Sequence, residues 1–134
     1  MGLQLPSGRQ AILVADSNVF ARNLLTRELV EEGFFILAAA NCEEAIRLSQ
    51  SFEGEIELLV LNDDLPGQQA LVDAIQGQRP GIRLLTIPSE THKNLVEISQ
   101  QRARWVKDRS SLPGEFRKQI REALANPAGR EGAY

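Results

Sequence analysis

Four short groups of polar residues each follow directly on an apolar run: Asp16-Ser17, Asn62-Asp63-Asp64, Pro88-Ser89 and Lys107. An acid, an amide, a hydroxyl and an amine brought together would suit an oxyanion or phosphate site. The central group closes the stretch Leu58-Leu59-Val60-Leu61-Asn62-Asp63-Asp64-Leu65-Pro66-Gly67, where a continuous apolar run stops at polar residues and turns. A run bounded in this way reads as a strand buried on both faces, which delivers its last side chains to the edge of a parallel sheet. The residue delivered there is Asn62, an uncharged amide and a poor nucleophile, with the carboxylates of Asp63 and Asp64 directly after it. Polar residues end most strands, so spacing alone does not separate such a site from ordinary loop polarity.

The elements that must position these groups alternate along the chain. Residues 11–15 read as a first buried strand, and Ser17 or Asn18 can cap the helix that follows. Ala21, Leu24, Leu25 and Leu29 recur at helical spacing there, with Arg22, Arg27, Glu28, Glu31 and Glu32 largely on the other face and Gly33 at the end. Residues 34–40 form a second strand candidate, and Asn41 with Glu44 resembles a capping box at the start of a second helix. Cys42 reads as a small helix residue rather than a reactive thiol. After the central strand, Pro66-Gly67 turns into a helix carrying Leu71, Val72 and Ile75, broken by Gly77 and Pro80-Gly81.

A fourth strand over 82–87 precedes a weaker helical pattern over 91–101 with Leu95, Val96 and Ile98. Arg104-Trp105-Val106 reads as a short fifth strand ending at Lys107, with Trp105 read as core ahead of the alternative of an exposed interface anchor. A last helix begins near Pro113 and turns Phe116, Ile120, Ala123 and Leu124 inward, until Asn126-Pro127 stops it. Five strands alternating with five helices require parallel pairing with right-handed crossovers, hence an α/β fold, a three-layer αβα sandwich. The expected division is an extension over 1–10, one domain over 11–125 and a tail or linker over 126–134.

The chain has 134 residues, enough for one domain with its own core, and a formal net charge of -3, which gives no global attraction to nucleic acid or anionic lipid. One cysteine leaves no internal disulfide or Cys-based zinc site, so a reducing cytoplasmic setting is the default. The one histidine, His92, lies in a polar stretch and reads as a solvated helix residue, which also excludes a histidine-rich metal site. Residues 1–10 resemble neither a secretory signal nor a membrane anchor, and no apolar run is long enough to cross a bilayer.

From about Ala11 to Leu124 the sequence resembles the receiver domains of bacterial two-component response regulators. Ile12-Leu13-Val14-Ala15-Asp16, Gly33-Phe34, Glu43-Glu44-Ala45, Pro66-Gly67 and Trp105-Val106-Lys107 stand in the order and spacing of that family. The resemblance implies a flavodoxin-like, CheY-like five-stranded parallel sheet of strand order 2-1-3-4-5. It further implies a phosphorelay role, in which an aspartate ending the third strand accepts a phosphoryl group. Two acids ending the first strand help hold Mg²⁺, a lysine steadies the phosphoryl oxygens, and a Ser or Thr ending the fourth strand senses them.

The matching positions are Asn62 for the acceptor, Asp16 and Ser17 for the acid pair, Lys107 for the lysine and Pro88 for the hydroxyl, with Ser89 beside it. The aromatic switch position falls on Arg104. An amide cannot form an acyl phosphate, so Asn62 removes the covalent step. A hard dication wants several anionic oxygens, so Asp16, with Asp64 as a rescuing ligand, is expected to hold Mg²⁺ weakly or not at all. Asp16 and Lys107 are expected to neutralise each other instead. Asp63 is turned away by strand alternation, and Asp63 and Asp64 read as solvated loop acids before they read as substitute acceptors.

The expectation is a pseudo-receiver: no enzyme, no required cofactor, and a phosphorylation-independent protein-interaction module. Its protein partner, either a signalling protein or a fused output domain, or a second copy of the chain, would meet the face of the fourth helix, fifth strand and fifth helix. Arg102, Arg104, Arg109, Arg117, Lys118 and Arg121 make that region basic, which suits an acidic partner. The alternatives are an active regulator that uses Asp63 or Asp64, or whose parent carries Asp at 62, and a nucleic-acid-binding module. The last lacks a helix-turn-helix and an aromatic stacking platform.

Overall fold

A computed structural model describes residues 10–104 and 114–125, with the side chains of 101–104 and 114–116 set aside. The elements follow in the order β1 (Ala11–Ala15), α1 (Val19–Glu31), β2 (Phe35–Ala39), α2 (Cys42–Ser51), β3 (Ile56–Asn62), α3 (Gln68–Gln78), β4 (Arg83–Ile87), α4 (Ser89–Arg104) and α5 (Gly114–Ala125). The strands pair in parallel in the order β2-β1-β3-β4, the flavodoxin-like order. The expected fifth strand, apart from Arg104, and its Trp105 and Lys107 lie outside the described residues, whereas Arg104 closes α4.

The central strands are apolar on both faces because both faces are covered. Ala11, Leu13 and Ala15 of β1 with Leu59 and Leu61 of β3 pack under Ala45 of α2 and Leu71 and Ile75 of α3. Ile12, Val14, Leu58 and Val60 pack on the opposite side with Ala21, Leu24, Leu25 and Leu29 of α1, Leu95 of α4 and Ile120 of α5. The register between β1 and β3 shifts between Ala11 and Ile12, so Ile56 and Leu58 reach opposite faces despite their even spacing.

Local signals set the helix ends. Asn18 caps α1, its side chain accepting from the backbone N–H groups of Phe20 and Ala21 at 2.9 and 3.0 Å. Asn41 accepts from the Glu44 N–H at 2.8 Å while Glu44 Oε1 accepts from the Ala40 N–H at 2.6 Å, so the capping box forms. One expectation fails in α1: Glu28 is buried rather than turned to solvent.

Gly67 precedes α3 with φ 77°, a left-handed conformation that L side chains resist. A Cβ there would meet only Cys42 Sγ, at 3.7 Å, so the cost of a side chain is conformational. Gly67→Ala is expected to lower stability by about 1 kcal/mol in urea unfolding, and no measurable change would refute the left-handed assignment.

The position of α4 departs from the crossover expectation. A right-handed crossover running outward from β4 would lay its helix on the side of α2 and α3. Instead α4 packs against α1, with Leu95, Val96 and Ile98 joining the cluster on that face. This placement carries the first turn of α4 over the end of β1.

Candidate functional site

The C-terminal edge of the sheet brings together most of the described polar groups named from sequence. Ala15 pairs with Leu61, so one further step of the same register sets Asp16 beside Asn62. Both are buried, with 1% and 4% of their surface exposed. Asp16 is fixed from several directions. Its backbone N–H donates to the Ala39 carbonyl at 3.0 Å, and its own carbonyl accepts from Arg22 Nη1 at 2.8 Å. Its Oδ1 accepts from the Asn18 N–H at 2.9 Å.

The remaining capacity of that carboxylate is taken by His92. Nε2 of the imidazole lies 2.8 Å from Oδ2 and 3.0 Å from Oδ1, and the His92 side chain is only 14% exposed. The reading of His92 as a solvated helix residue is therefore corrected: it is largely buried and meets the one carboxylate buried at this edge. The described partner of Asp16 is this imidazole, while Lys107, its expected partner, lies outside the described residues. A helical signal for His92 was available in the sequence. His92, Leu95, Val96 and Ser99 share one face of α4 at intervals of three and four, and Leu95 and Ser99 are buried.

Asn62 presents a second departure from ordinary loop polarity, since its Oδ1 is buried with no hydrogen-bond partner. Buried acceptors in this condition are uncommon and costly. Ser17 is exposed beside Asp16 and supplies no charge. Pro88 offers only its carbonyl, which accepts from the His92 N–H at 2.9 Å. Ser89 Oγ sits 2.9 Å from Asp64 Oδ2, so the neighbouring hydroxyl engages an exposed loop acid. Asp63 is also exposed. Its backbone N–H donates to the Ile87 carbonyl and its carbonyl accepts from Gln68 Nε2, so the main chain closes the β3 turn while the carboxylate points elsewhere.

Cys42 opens α2 half-buried, its Sγ 3.1 Å from the Pro66 carbonyl, and burial pushes its thiol pKa up. A raised pKa lowers the thiolate fraction, in keeping with a packing role.

These residues fit Mg²⁺ poorly. Asp16 offers the one carboxylate known to be buried at the edge, and both its oxygens already face donors. Asp64 is exposed and engaged by Ser89. Among the described residues no group of three or more His, Cys, Asp and Glu side chains is placed to hold a metal ion. Nor, among them, is any helix long and apolar enough to cross a membrane.

No protein-family model matches the chain, and no curated protein matches it. Solved structures do. A CheY-like response regulator receiver domain protein from Methanospirillum hungatei superposes with a TM-score of 0.61 at 17% identity, over 87% of this chain and 94% of that one. The response regulator TrrA from Thermotoga maritima, solved with Mg²⁺-BeF, gives 0.58 at 24% identity over 85% and 98%. TrrA in complex with the histidine kinase ThkA gives 0.58 at 26% identity over 87% and 99%. The chain has the flavodoxin-like, CheY-like fold of response regulator receiver domains.

Proposed function

We propose that the chain is a degenerate receiver domain of a cytoplasmic, bacterial two-component system. In this reading it does not accept a phosphoryl group and acts as a phosphorylation-independent protein-interaction module rather than an enzyme. One observation carries the reading: the acceptor position is a buried amide, Asn62, beside a carboxylate, Asp16, already satisfied by His92. An amide oxygen attacking a phosphoryl donor leads to no stable acyl phosphate. His92 also lies within hydrogen-bonding distance of both Asp16 oxygens, which leaves that carboxylate little room to hold a dication, so Mg²⁺ is bound weakly at most.

A protein partner follows from the fold class, and TrrA, which shares the fold, is known in complex with a histidine kinase. The face of α4 and α5 is the proposed docking side for that partner or for a second copy. Part of its basic charge is already used internally, because Arg117 and Arg121 lie 3.7 and 3.6 Å from the Glu32 carboxylate. Exposed pairs of this kind contribute little to stability.

The deciding experiment is incubation of the chain with a small acyl phosphate and Mg²⁺, followed by intact-mass measurement. An unchanged mass is expected. A stoichiometric, base-labile phosphoryl adduct would overturn the reading, and mapping it to Asp63 or Asp64 would establish a substitute acceptor.

A further inference from the structure

β2 stands at one edge of the sheet, and among the described residues no strand pairs with its outer side. Its hydrogen bonds tell which residues face outward. The Phe35 N–H donates to the Gln10 carbonyl at 2.9 Å and the Ala39 carbonyl accepts from the Asp16 N–H at 3.0 Å, so Phe35 and Ala39 turn these groups to β1. By alternation Leu37 does the same, while Ile36 and Ala38 hold their N–H and carbonyl groups out from the edge. The flanking N–H groups already have acceptors, that of Phe34 in the Leu29 carbonyl and that of Ala40 in Glu44 Oε1. The open ladder is therefore short. Phe34 and Ile36, on the α1 side of β2, are only half-buried, and Ala38 is exposed. Native sheets cover or blunt edges of this kind, because an open ladder pairs with other chains.

Residues 1–9 precede the described chain, and Gln10, whose carbonyl meets the Phe35 N–H, brings them to the foot of β2. Leu3, Gln4 and Leu5 alternate with the period of a half-buried strand, and Pro6, Ser7 and Gly8 are turn residues. From Pro6 to Ala11 the chain can reach about 17 Å. That exceeds the two strand spacings, about 10 Å, that separate the outer side of β2 from β1. It is too short for the crossover that a parallel neighbour requires, so a strand over 3–5 runs antiparallel to β2. Pro6 then fixes the register. Without an N–H, it must face away from the ladder, which turns the backbone groups of Leu3 and Leu5 toward β2. Their counterparts are the two residues that face outward, Ala38 and Ile36. Opposed residues share a face of the sheet, so both leucines fall on the α1 side, over Phe34 and Ile36. A slip of one residue would put the prolyl nitrogen in the ladder.

We propose that the outer edge of β2 is the docking site for residues 3–5 of the same chain, with Leu3 opposite Ala38, Gln4 opposite Leu37 and Leu5 opposite Ile36. The added strand satisfies the outward groups of Ile36 and Ala38 and closes this edge to a second copy of the chain. It rests on the β2 hydrogen bonds and the position of Pro6, and not on phosphoryl chemistry.

The test is amide hydrogen exchange and NOE measurement on the full, tag-free chain with no phosphoryl donor, so its failure is separate from that of the proposed function. The Ile36 and Ala38 amides are expected to exchange about tenfold or more slowly in the wild type than in Leu5→Pro, which removes a ladder N–H. The Leu37 and Ala39 amides, which face β1, should not differ. Gln4→Pro places its ring on the outward side and is expected to keep the wild-type protection. A thermal melt verifies that each variant is folded. In the wild type an Hα–Hα NOE between Gln4 and Leu37, the opposed pair without mutual hydrogen bonds, is expected within one chain, and it carries the test if Leu5→Pro does not fold. A mixture of labelled and unlabelled chains identifies its source. Contacts at Leu37 that arise only between chains would assign the edge to a second copy and overturn the proposal. Unprotected Ile36 and Ala38 amides in the wild type, equal protection in Leu5→Pro, or the same loss in Gln4→Pro as in Leu5→Pro overturns it as well.

Discussion

Arg79→Ala is expected to lower the free energy of unfolding by about 3 kcal/mol. The guanidinium follows α3 and reaches across to the end of α2, where Nε donates to Ser49 Oγ at 2.9 Å and Nη2 to the carbonyls of Ser49 and Phe52, both at 2.8 Å. Nη1 donates to the Gly54 carbonyl at 2.7 Å, and the group lies 6.0 Å over the Phe52 ring. Burial pushes the Arg79 pKa down while Glu55 opposes the shift.

Hydrogen bonds from a charged group contribute about 1.5–3 kcal/mol each, but they are not additive, and this side chain is partly open to solvent. The estimate is therefore closer to the value of one or two such bonds than to the sum of four. Arg79→Lys should recover less than half of the loss, because an ammonium is a point donor and cannot reproduce the planar fork. Urea unfolding of the three proteins decides the matter, and an Arg79→Ala loss below about 1 kcal/mol would show that the carbonyls find water instead.

Arg79 also marks where the sequence ceases to be readable. Its neighbours Gly77 and Pro80-Gly81 signal the end of α3, and the structure has that end. Nothing local tells which carbonyls, some 25 to 30 residues earlier in the chain, a surface arginine will collect. The four described strands were legible because their apolar runs are bounded by polar and capping residues such as Asn18 and Asn41, and because parallel pairing leaves few topologies. Asp16 and Asn62 were legible for the same reason, since a strand end in a parallel sheet has a known address.

His92 was not legible from topology, because a right-handed crossover would have put α4 on the far side of the sheet, away from Asp16. Its helical spacing with Leu95 and Ser99 gave a weaker, local hint. Glu28 shows the opposite error: a residue placed on the polar side of α1 by its charge is buried because the packing of α1 reaches around to it.

His92→Ala should be nearly as destabilising as the loss of Arg79, by about 3 kcal/mol. Without the ring, the Asp16 carboxylate stays buried and keeps only the Asn18 N–H among the described donors to its oxygens. Removing one partner from a buried pair leaves the other desolvated, which costs more than the pair itself contributes. Replacing both residues tests this directly. Asp16→Ala with His92→Ala should cost less than the sum of the single changes, with a coupling energy of about 1–3 kcal/mol. Hydrogen exchange adds a spatial readout, because loss of the pair should speed exchange in the first turn of α4 more than in β1 or β3. A solvated helix histidine would behave differently: His92→Ala would fall within about 0.5 kcal/mol of the wild type, and the double change would be additive. The two outcomes differ by several times the error of an unfolding measurement. They decide whether the first turn of α4 is tied to the sheet edge by this one ring or held there only by the apolar contacts of Leu95, Val96 and Ile98.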